Sequence, residues 1–294
     1  MKTRKKVGLA LSGGVARGPV HVGVLTALER AGIPIDAIAG ASAGALVGAA
    51  YCAGLEIPQL RKLAVDSNWS TVAGLSRSRH GLISFRKMEA YLQNLVGDVD
   101  IRDLAIPFTA VVTDMQHGIP VYLRRGRLST AVRASCSVPG VISPVAIDGR
   151  LCCDGGITDN LPVTAVRAMG VDYVIAVDLF VPIYHERLGV LGDLAAAVEL
   201  LVRHAGGGYY QADCLIEPAI AGHNYFNFSR RKSEQYMTLG EAAAERMIPL
   251  IKAALCEKDH DATPPERNGN GVKEIGDWRL EMAQSPISNL QSPS

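Results

Sequence analysis

Short apolar runs alternate with helical segments along most of this chain, and this alternation constrains the fold more than any other feature. Strand-like runs lie at residues 7–11, 35–39, 107–114 and 173–177. Segments with apolar residues at helical spacing lie at residues 18–31, 43–53 and 162–169. Parallel strands need long crossover connections, which are usually helices. We therefore predict an α/β fold, a three-layer α/β/α sandwich with a mainly parallel central sheet.

Composition excludes several classes of protein. The chain has 294 residues, of which 48% are hydrophobic, so it can bury a sizeable core and is not disordered as a whole. The 30 Lys and Arg residues almost balance the 29 Asp and Glu residues, and aromatic residues make up only 5%. Neither the charge nor the aromatic content favours nucleic acid as a partner.

The cysteines and the N-terminus indicate the compartment. Six cysteines without a Cys-x-x-Cys pair make neither a disulfide framework nor a zinc site, and we expect no metal and no cofactor. Reduced thiols fit a cytoplasmic protein. We expect no spanning helix, because no apolar run reaches about 18 residues. The basic residues Lys2, Arg4, Lys5 and Lys6 allow transient peripheral contact with the inner face of a membrane.

Two stretches lack the regular pattern. Residues 69–84 lose periodicity and carry charge, and we expect a loop that covers a site. Residues 257–294 are rich in Pro, Ser, Asn and Gly, which predicts a mostly unstructured tail. The expected organisation is one folded domain over residues 1–256, followed by this tail.

The first chemical motif is Gly40-Ala41-Ser42-Ala43-Gly44, a G-x-S-x-G. It lies where a strand ends and a helix begins, as a nucleophile elbow requires. Glycines on both sides permit a sharp turn, and the helix N-terminus favours an oxyanion. An ordinary turn in which Ser42 caps the helix is the alternative.

The second motif is the glycine loop Ser12-Gly13-Gly14-Val15-Ala16-Arg17-Gly18, which directly follows the first strand. Clustered glycines before a helix expose N–H groups that hold an anion. Pro19 and Val20 stand where a P-loop needs Lys and Ser or Thr, and Val15 breaks a G-x-G-x-x-G fingerprint. An oxyanion hole fits the loop better than a nucleotide site.

The third motif is Asp154-Gly155-Gly156, again at a strand end. Seen alone, this sequence is most often a simple turn. A catalytic role for Asp154 becomes the stronger interpretation because Ser42 would need a base. No histidine lies in a comparable glycine-flanked turn; the candidates are His21, His80, His117, His185, His204, His223 and His260. A desolvated carboxylate with a raised pKa can take the serine proton directly.

Together the three motifs, in this order, resemble those of the patatin-like phospholipase family. Two further segments resemble the blocks on either side of its catalytic aspartate: Ala134-Ser135-Cys136-Ser137-Val138-Pro139-Gly140 and Asn160-Leu161-Pro162. The resemblance covers about residues 5–217 and is strongest to small bacterial-type members related to the catalytic domain of neuropathy target esterases.

The resemblance implies a Ser–Asp dyad with Ser42 as nucleophile and Asp154 as general base. It also implies an oxyanion hole in the loop of Gly13, Gly14, Ala16, Arg17 and Gly18, in which the amides of Gly13 and Gly14 donate and Arg17 fixes the loop. The turns would depend on their flanking glycines: Gly40, Gly44, Gly155 and Gly156.

Two functions follow as hypotheses. The first is hydrolysis of lipid esters, from phospholipid or lysophospholipid, through an acyl-enzyme. The second is a non-catalytic lipid- or protein-binding regulator on the same fold. The intact serine, aspartate and glycine loop favour the enzyme.

Overall fold

The computed structural model describes residues 4–76, 79–180, 189–220 and 228–256. The expected tail at residues 257–294 lies outside these ranges. The strands are β1 Val7–Leu11, β2 Ala37–Ala41, β3 Gly74–Leu75, β4 Ile83–Ser84, β5 Phe108–Asp114, β6 Ile119–Leu123, β7 Val145–Ile147, β8 Arg150–Asp154, β9 Tyr173–Val177 and β10 Cys214–Ile216. The α-helices are α1 Pro19–Arg30, α2 Ala43–Cys52, α3 Ile57–Asp66, α4 Trp69–Val72, α5 Arg86–Val96, α6 Leu128–Ser135, α7 Val163–Arg167, α8 Val190–His204 and α9 Arg230–Cys256.

The central sheet is mixed but mostly parallel. Strands β10, β9, β1, β2 and β5 pair in parallel in that order, with Leu9 opposite both Ile38 and Ile175. Beyond them, β8 and β6 both pair antiparallel with β5, and β7 pairs antiparallel with β8. The β7–β8 turn has positive φ at Asp148 and Gly149, as a tight hairpin requires.

The two faces of the sheet bury different helices. Leu9, Leu11 and Ile38 belong to a large core shared with α1, α2, α3 and α9, whereas Ala10 and Ala39 face the other way, toward α7. Alternation along buried strands produces these two faces. The predicted α/β/α arrangement and mainly parallel sheet are therefore confirmed.

Helices α1 and α9 cross in direct backbone contact. A Cβ added at Gly23 would lie 2.0 Å from the carbonyl oxygen of Met237. One added at Gly240 would lie 2.1 Å from the carbonyl oxygen of Val20. Only glycine fits at these two positions, and the pair fixes α9 against the start of the domain.

The structure differs from the sequence expectations at several boundaries. The second strand begins at Ala37, two residues later than its apolar run, and the last helix begins at Arg230 rather than 233. The expected loop at residues 69–84 holds the short helix α4 and the β3–β4 hairpin. Strands of two residues are too short to produce a readable alternation.

Candidate active site

Ser42 lies in a strained turn between β2 and α2. Its φ is 50° and its ψ is −120°, a backbone conformation that residues other than glycine rarely adopt. A Cβ at Gly40 would lie 2.5 Å from the backbone of Gly44, and one at Gly44 would lie 2.3 Å from the carbonyl oxygen of Leu11. The flanking glycines are thus a steric requirement of the turn.

The backbone of Ser42 is held by the end of α6. Its N–H donates a 2.9 Å hydrogen bond to Ser135 Oγ, which donates in turn to the carbonyl oxygen of Val111 at 2.6 Å. The side chain makes no capping hydrogen bond to α2. Helix capping, the ordinary role of a serine here, is therefore not what its hydroxyl does.

Strand β5 brings Asp154 to the same place. Ala41 pairs with Val111, and Asp154 pairs with Val112, the next residue along β5. Strand β6 occupies the opposite edge of β5, so β2 and β8 share one edge and their carboxyl ends meet there. The register alone thus places Ser42, which follows Ala41, beside Asp154.

Asp154 is fixed by its own turn. Its Oδ1 accepts a 2.8 Å hydrogen bond from the Gly156 amide, and its own amide donates to the Ser137 carbonyl at 2.9 Å. A Cβ at Gly155 would lie 2.2 Å from the Val111 carbonyl oxygen. Oδ1 therefore closes the turn that the Asp-Gly-Gly sequence predicts, whereas Oδ2 takes no part in that turn.

The environment of Asp154 suits a general base. Burial raises the pKa of its carboxyl to about 6, against the smaller opposing effects of the Ser42 hydroxyl and of the hydrogen bond from the Gly156 amide. Within the described part of the chain, the buried Oδ2 accepts no hydrogen bond, although the Ser42 hydroxyl is close enough to affect the pKa of the carboxyl. Pairs that transfer a proton often lack a well-aligned hydrogen bond before substrate binds.

The glycine loop has both occupied and available amides. Gly13 donates to Asn160 Oδ1 at 3.1 Å, Arg17 to the Gly14 carbonyl at 3.0 Å, and Gly18 to the Val15 carbonyl. The sequence resemblance had offered the Gly13 amide as an oxyanion donor, but in the structure it already has an acceptor. The remaining candidates are Gly14, Val15 and Ala16, of which Val15 is strained at φ 51°.

Arg17 supports this loop from inside the protein. Its side chain is fully buried and donates to the Leu179 carbonyl at 2.9 Å, and it also hydrogen-bonds the hydroxyl of Tyr236 on α9. A Cβ at Gly14 would lie 2.9 Å from the side chain of Leu179. Arg17 therefore positions the loop and does not present its charge to the site.

The described histidines are engaged elsewhere. His21 is buried, contacts the Ser12 carbonyl through Nε2 at 2.9 Å, and has its pKa lowered to about 4 by burial. His117 contacts Asp114, and His204 stacks on Tyr210. His80 is exposed in the β3–β4 hairpin. His185, His223 and His260 lie outside the described residues.

An apolar cavity opens beside Ser42. It measures about 190 Å³. Ser42 and Ala16 line it, and the rest of its wall is almost wholly apolar, with contributions from Leu46, Leu60, Leu63, Trp69, Phe85, Met88, Val138, Ile142 and Phe228. A cavity of this lining suits an apolar group and offers few partners to a polar one.

Three residues near Ser42 and Asp154 were not singled out from the sequence. Ser135 and Asn160 hold the amides of Ser42 and Gly13, and Cys136 lines the cavity together with Ser42. Burial, and then the charge of Asp154, raise the pKa of the Cys136 thiol well above its usual range, so the thiol stays protonated. The only sequence signal for these three residues is that they lie in segments that resemble the family.

Comparison with known proteins assigns the family. Residues 9–167, more than half of the chain, match the model of the patatin-like phospholipase family. The fold resembles VipD of Legionella pneumophila, with a TM-score of 0.59 over 84% of this chain and 67% of that chain at 14% identity. The chain belongs to the patatin-like phospholipase family.

Its relatives among curated proteins are of the neuropathy target esterase type. An uncharacterised NTE family protein of Mycobacterium tuberculosis is 42% identical over 177 residues, which cover 59% of this chain and 49% of that protein. The lysophospholipase nte1 of Aspergillus fumigatus is 35% identical over 60% of this chain and 12% of its own length. Neuropathy target esterase sws of Drosophila melanogaster is 34% identical over 60% of this chain and 13% of its length. The chain thus spans at most about half the length of these relatives.

The described residues offer neither a clustered metal site nor a helix that could span a membrane. Within residues 4–76, 79–180, 189–220 and 228–256, no group of three His, Cys, Asp or Glu side chains is placed to hold a metal ion. In the same ranges no helix has the length and apolar content needed to cross a bilayer.

Proposed function

We propose that the protein is a serine acyl hydrolase that cleaves single-chain lipid esters, with lysophospholipids as the favoured substrates. The observation that carries the proposal is the placement of Ser42. It sits in a strained elbow at the wall of an apolar cavity, with a buried carboxyl of raised pKa beside it. The names of the fungal relatives support the same substrate class.

The acylation half of the reaction follows from this arrangement. Asp154 takes the hydroxyl proton of Ser42, and Oγ attacks the ester carbonyl carbon of an acyl chain seated in the cavity. The carbonyl oxygen becomes an oxyanion, and free amides of Gly14, Val15 and Ala16 donate to it. The tetrahedral intermediate collapses, the C–O bond breaks, and protonated Asp154 returns the proton to the leaving alcohol.

Deacylation repeats the same steps with water. Asp154 removes a proton from water, which attacks the acyl carbon of the Ser42 ester. The second intermediate releases the fatty acid and returns the proton to Ser42 Oγ. The apolar wall excludes other water and keeps the carboxylate poorly solvated, which maintains its basicity.

The rival hypothesis is a regulator that binds lipid without turning it over. Labelling with a fluorophosphonate separates the two, because only an activated serine reacts with it. We expect one adduct on the peptide that contains Ser42, none in Ser42→Ala, and normal labelling in Cys152→Ala, whose thiol is buried in a separate apolar cluster and does not line the cavity.

Substrate class is tested by fatty acid release from lysophospholipids, two-chain phospholipids and short p-nitrophenyl esters. We expect lysophospholipids to give the highest kcat/KM. A folded wild-type protein that neither labels nor releases fatty acid supports the regulator and excludes the enzyme.

A further inference from the structure

Two leucines in the β3–β4 hairpin stand out from the described surface. The side chain of Leu75 is 96% exposed and that of Leu82 is 76% exposed. Neither lines the cavity, and neither belongs to the buried core. The ladder register sets Leu75 opposite Ile83, so Leu75 and Leu82 lie on the two sides of one short hairpin. Two leucines exposed to this extent in one hairpin indicate a segment that is covered by something apolar at some stage of function.

The hairpin is anchored to the rim of the cavity. The amides of Leu82 and Ile83 both donate to the carbonyl of Val141 at 2.9 Å, and the Ser143 amide donates to the Ile83 carbonyl at 2.8 Å. Val141 lines the cavity and is itself 44% exposed. Backbone hydrogen bonds therefore hold the exposed leucines beside the wall that receives the acyl chain.

The segment of chain that carries these leucines has charged side chains of one sign. The sequence from Ser67 to Met88 contains no Asp or Glu, and Arg79, Arg86 and Lys87 in this stretch are exposed. Glu89, which follows, is neutralised by an ion pair with Arg133 at 2.9 Å. Exposed apolar residues among unopposed cations complement a surface that is apolar inside and anionic outside.

We propose that the β3–β4 hairpin, through Leu75 and Leu82 with Arg79, Arg86 and Lys87, docks the protein on an anionic lipid bilayer at the mouth of the cavity. The leucines enter the acyl region, and the cations contact lipid phosphates. The proposal rests on the proposed function for the reason to visit a membrane, but the docking itself needs no catalysis.

The exposed face of α8 is the competing surface. Val190, Leu194, Val198 and Leu201 are half or more exposed at helical spacing. However, α8 carries Asp193 and Glu199, and its Arg203 is paired with Asp178 and Glu217. This face therefore lacks the charge that an anionic bilayer favours, and it provides a matched control of two exposed leucines.

The experiment measures co-sedimentation of the full chain with vesicles of phosphatidylcholine, with and without phosphatidylglycerol. We expect Leu75→Ser/Leu82→Ser to weaken binding to the anionic vesicles about tenfold or more. We expect Arg86→Gln/Lys87→Gln to weaken it severalfold and to reduce its salt dependence. Leu194→Ser/Leu201→Ser should bind as the wild type does.

Separate readouts distinguish docking from chemistry. Fluorophosphonate labelling of Ser42 and turnover of a short soluble ester test the proposed function, and the hairpin variants should leave both unchanged. The docking proposal is overturned if the wild-type protein does not bind anionic vesicles. It is also overturned if the α8 variant loses binding and the hairpin variants do not. Light scattering measures the oligomeric state. If the wild type is an oligomer, and a hairpin variant is monomeric and still binds vesicles, a second copy of the chain covers the leucines and the proposal is overturned.

Discussion

The amide of Ser42 and the hydroxyl of Ser135 are joined by a 2.9 Å hydrogen bond across 93 residues of sequence. Two residues further on, the Ser137 carbonyl accepts the amide of Asp154 at 2.9 Å. One turn at the end of α6 therefore holds the backbone of both Ser42 and Asp154. The separation of these two residues, the proposed nucleophile and base, depends on this turn as well as on the register of β5.

Replacing Ser135 tests that dependence. Ser135→Ala leaves the Ser42 N–H buried without an acceptor, which should cost about 1–3 kcal/mol of unfolding free energy. Displacement of the nucleophile should lower kcat by up to about 10²-fold with little change in KM. Ser137→Ala is the matched control, because its hydroxyl donates only to the Arg133 carbonyl and its backbone contact survives. Steady-state kinetics and thermal unfolding of both variants check this, and equal kcat losses in the two would contradict the positioning role.

Removing the base should abolish most turnover. Asp154→Asn keeps the shape and the Gly156 contact but cannot accept a proton, so kcat should fall about 10²–10⁴-fold. In the wild type, kcat/KM should rise with pH through the pKa of about 6 and then level off, because the ionised carboxylate is the active form. His→Gln variants of the seven histidines serve as the comparison. If one folded variant is as inactive as Asp154→Asn, the dyad is wrong.

Asp154 should also lower stability at neutral pH. Its folded pKa of about 6 lies above the value of 3.8 for an unperturbed carboxyl, so the folded state binds the proton more tightly than the unfolded state. That contribution is fully present below about pH 4 and is lost as pH rises through about 6. Relative to wild type, Asp154→Asn should therefore gain stability on the order of 2–3 kcal/mol between pH 4 and pH 8. Denaturant melts at both pH values measure the change, and a constant difference would exclude it.

Asn160 connects the glycine loop to the aspartate turn. Its Oδ1 accepts the Gly13 amide, and a Cβ at Gly156 would lie 3.0 Å from that oxygen and 3.1 Å from Asp154 Oδ1. Asn160→Asp keeps the acceptor and adds negative charge near the base. Repulsion should raise the pKa of Asp154 and move the acidic limb of the rate profile to higher pH. Asn160→Leu removes the acceptor and adds no charge, so its limb should stay in place while kcat falls. If the acidic limbs of the pH–rate profiles of Asn160→Asp and wild type coincide, the two carboxylates do not interact.

Local patterns in the sequence predicted much of this fold. Strand–helix alternation and glycines at strand ends report on neighbours along the chain, and they located the turns at Ser42 and Asp154. The sequence did not predict the β3–β4 hairpin, because strands of two residues are too short to show a periodic pattern. It did not predict the antiparallel pairing of β8 with β5, because strand direction depends on the topology of distant segments.

The finer parts of the site depend on contacts that no local pattern encodes. Gly13 and Asn160 lie 147 residues apart, yet their hydrogen bond decides which loop amides remain available. The pKa of Asp154 likewise depends on burial by several elements that close around it. Motif order could indicate which residues meet, but the assignment of each donor and acceptor required the folded chain.

Because the glycine loop contacts α9, its final structure can form only after α9 has been synthesised. Tyr236, a partner of Arg17, is translated more than 200 residues after it, and Gly240, which fits against Val20, is translated equally late. Until α9 emerges, α1 exposes a large apolar surface and Arg17 lacks its contact with Tyr236, so the loop keeps only part of its support. The nascent chain therefore carries Ser42 long before the loop beside it has its full set of contacts, and a chain released before α9 is made would lack the packing on which the proposed activity depends.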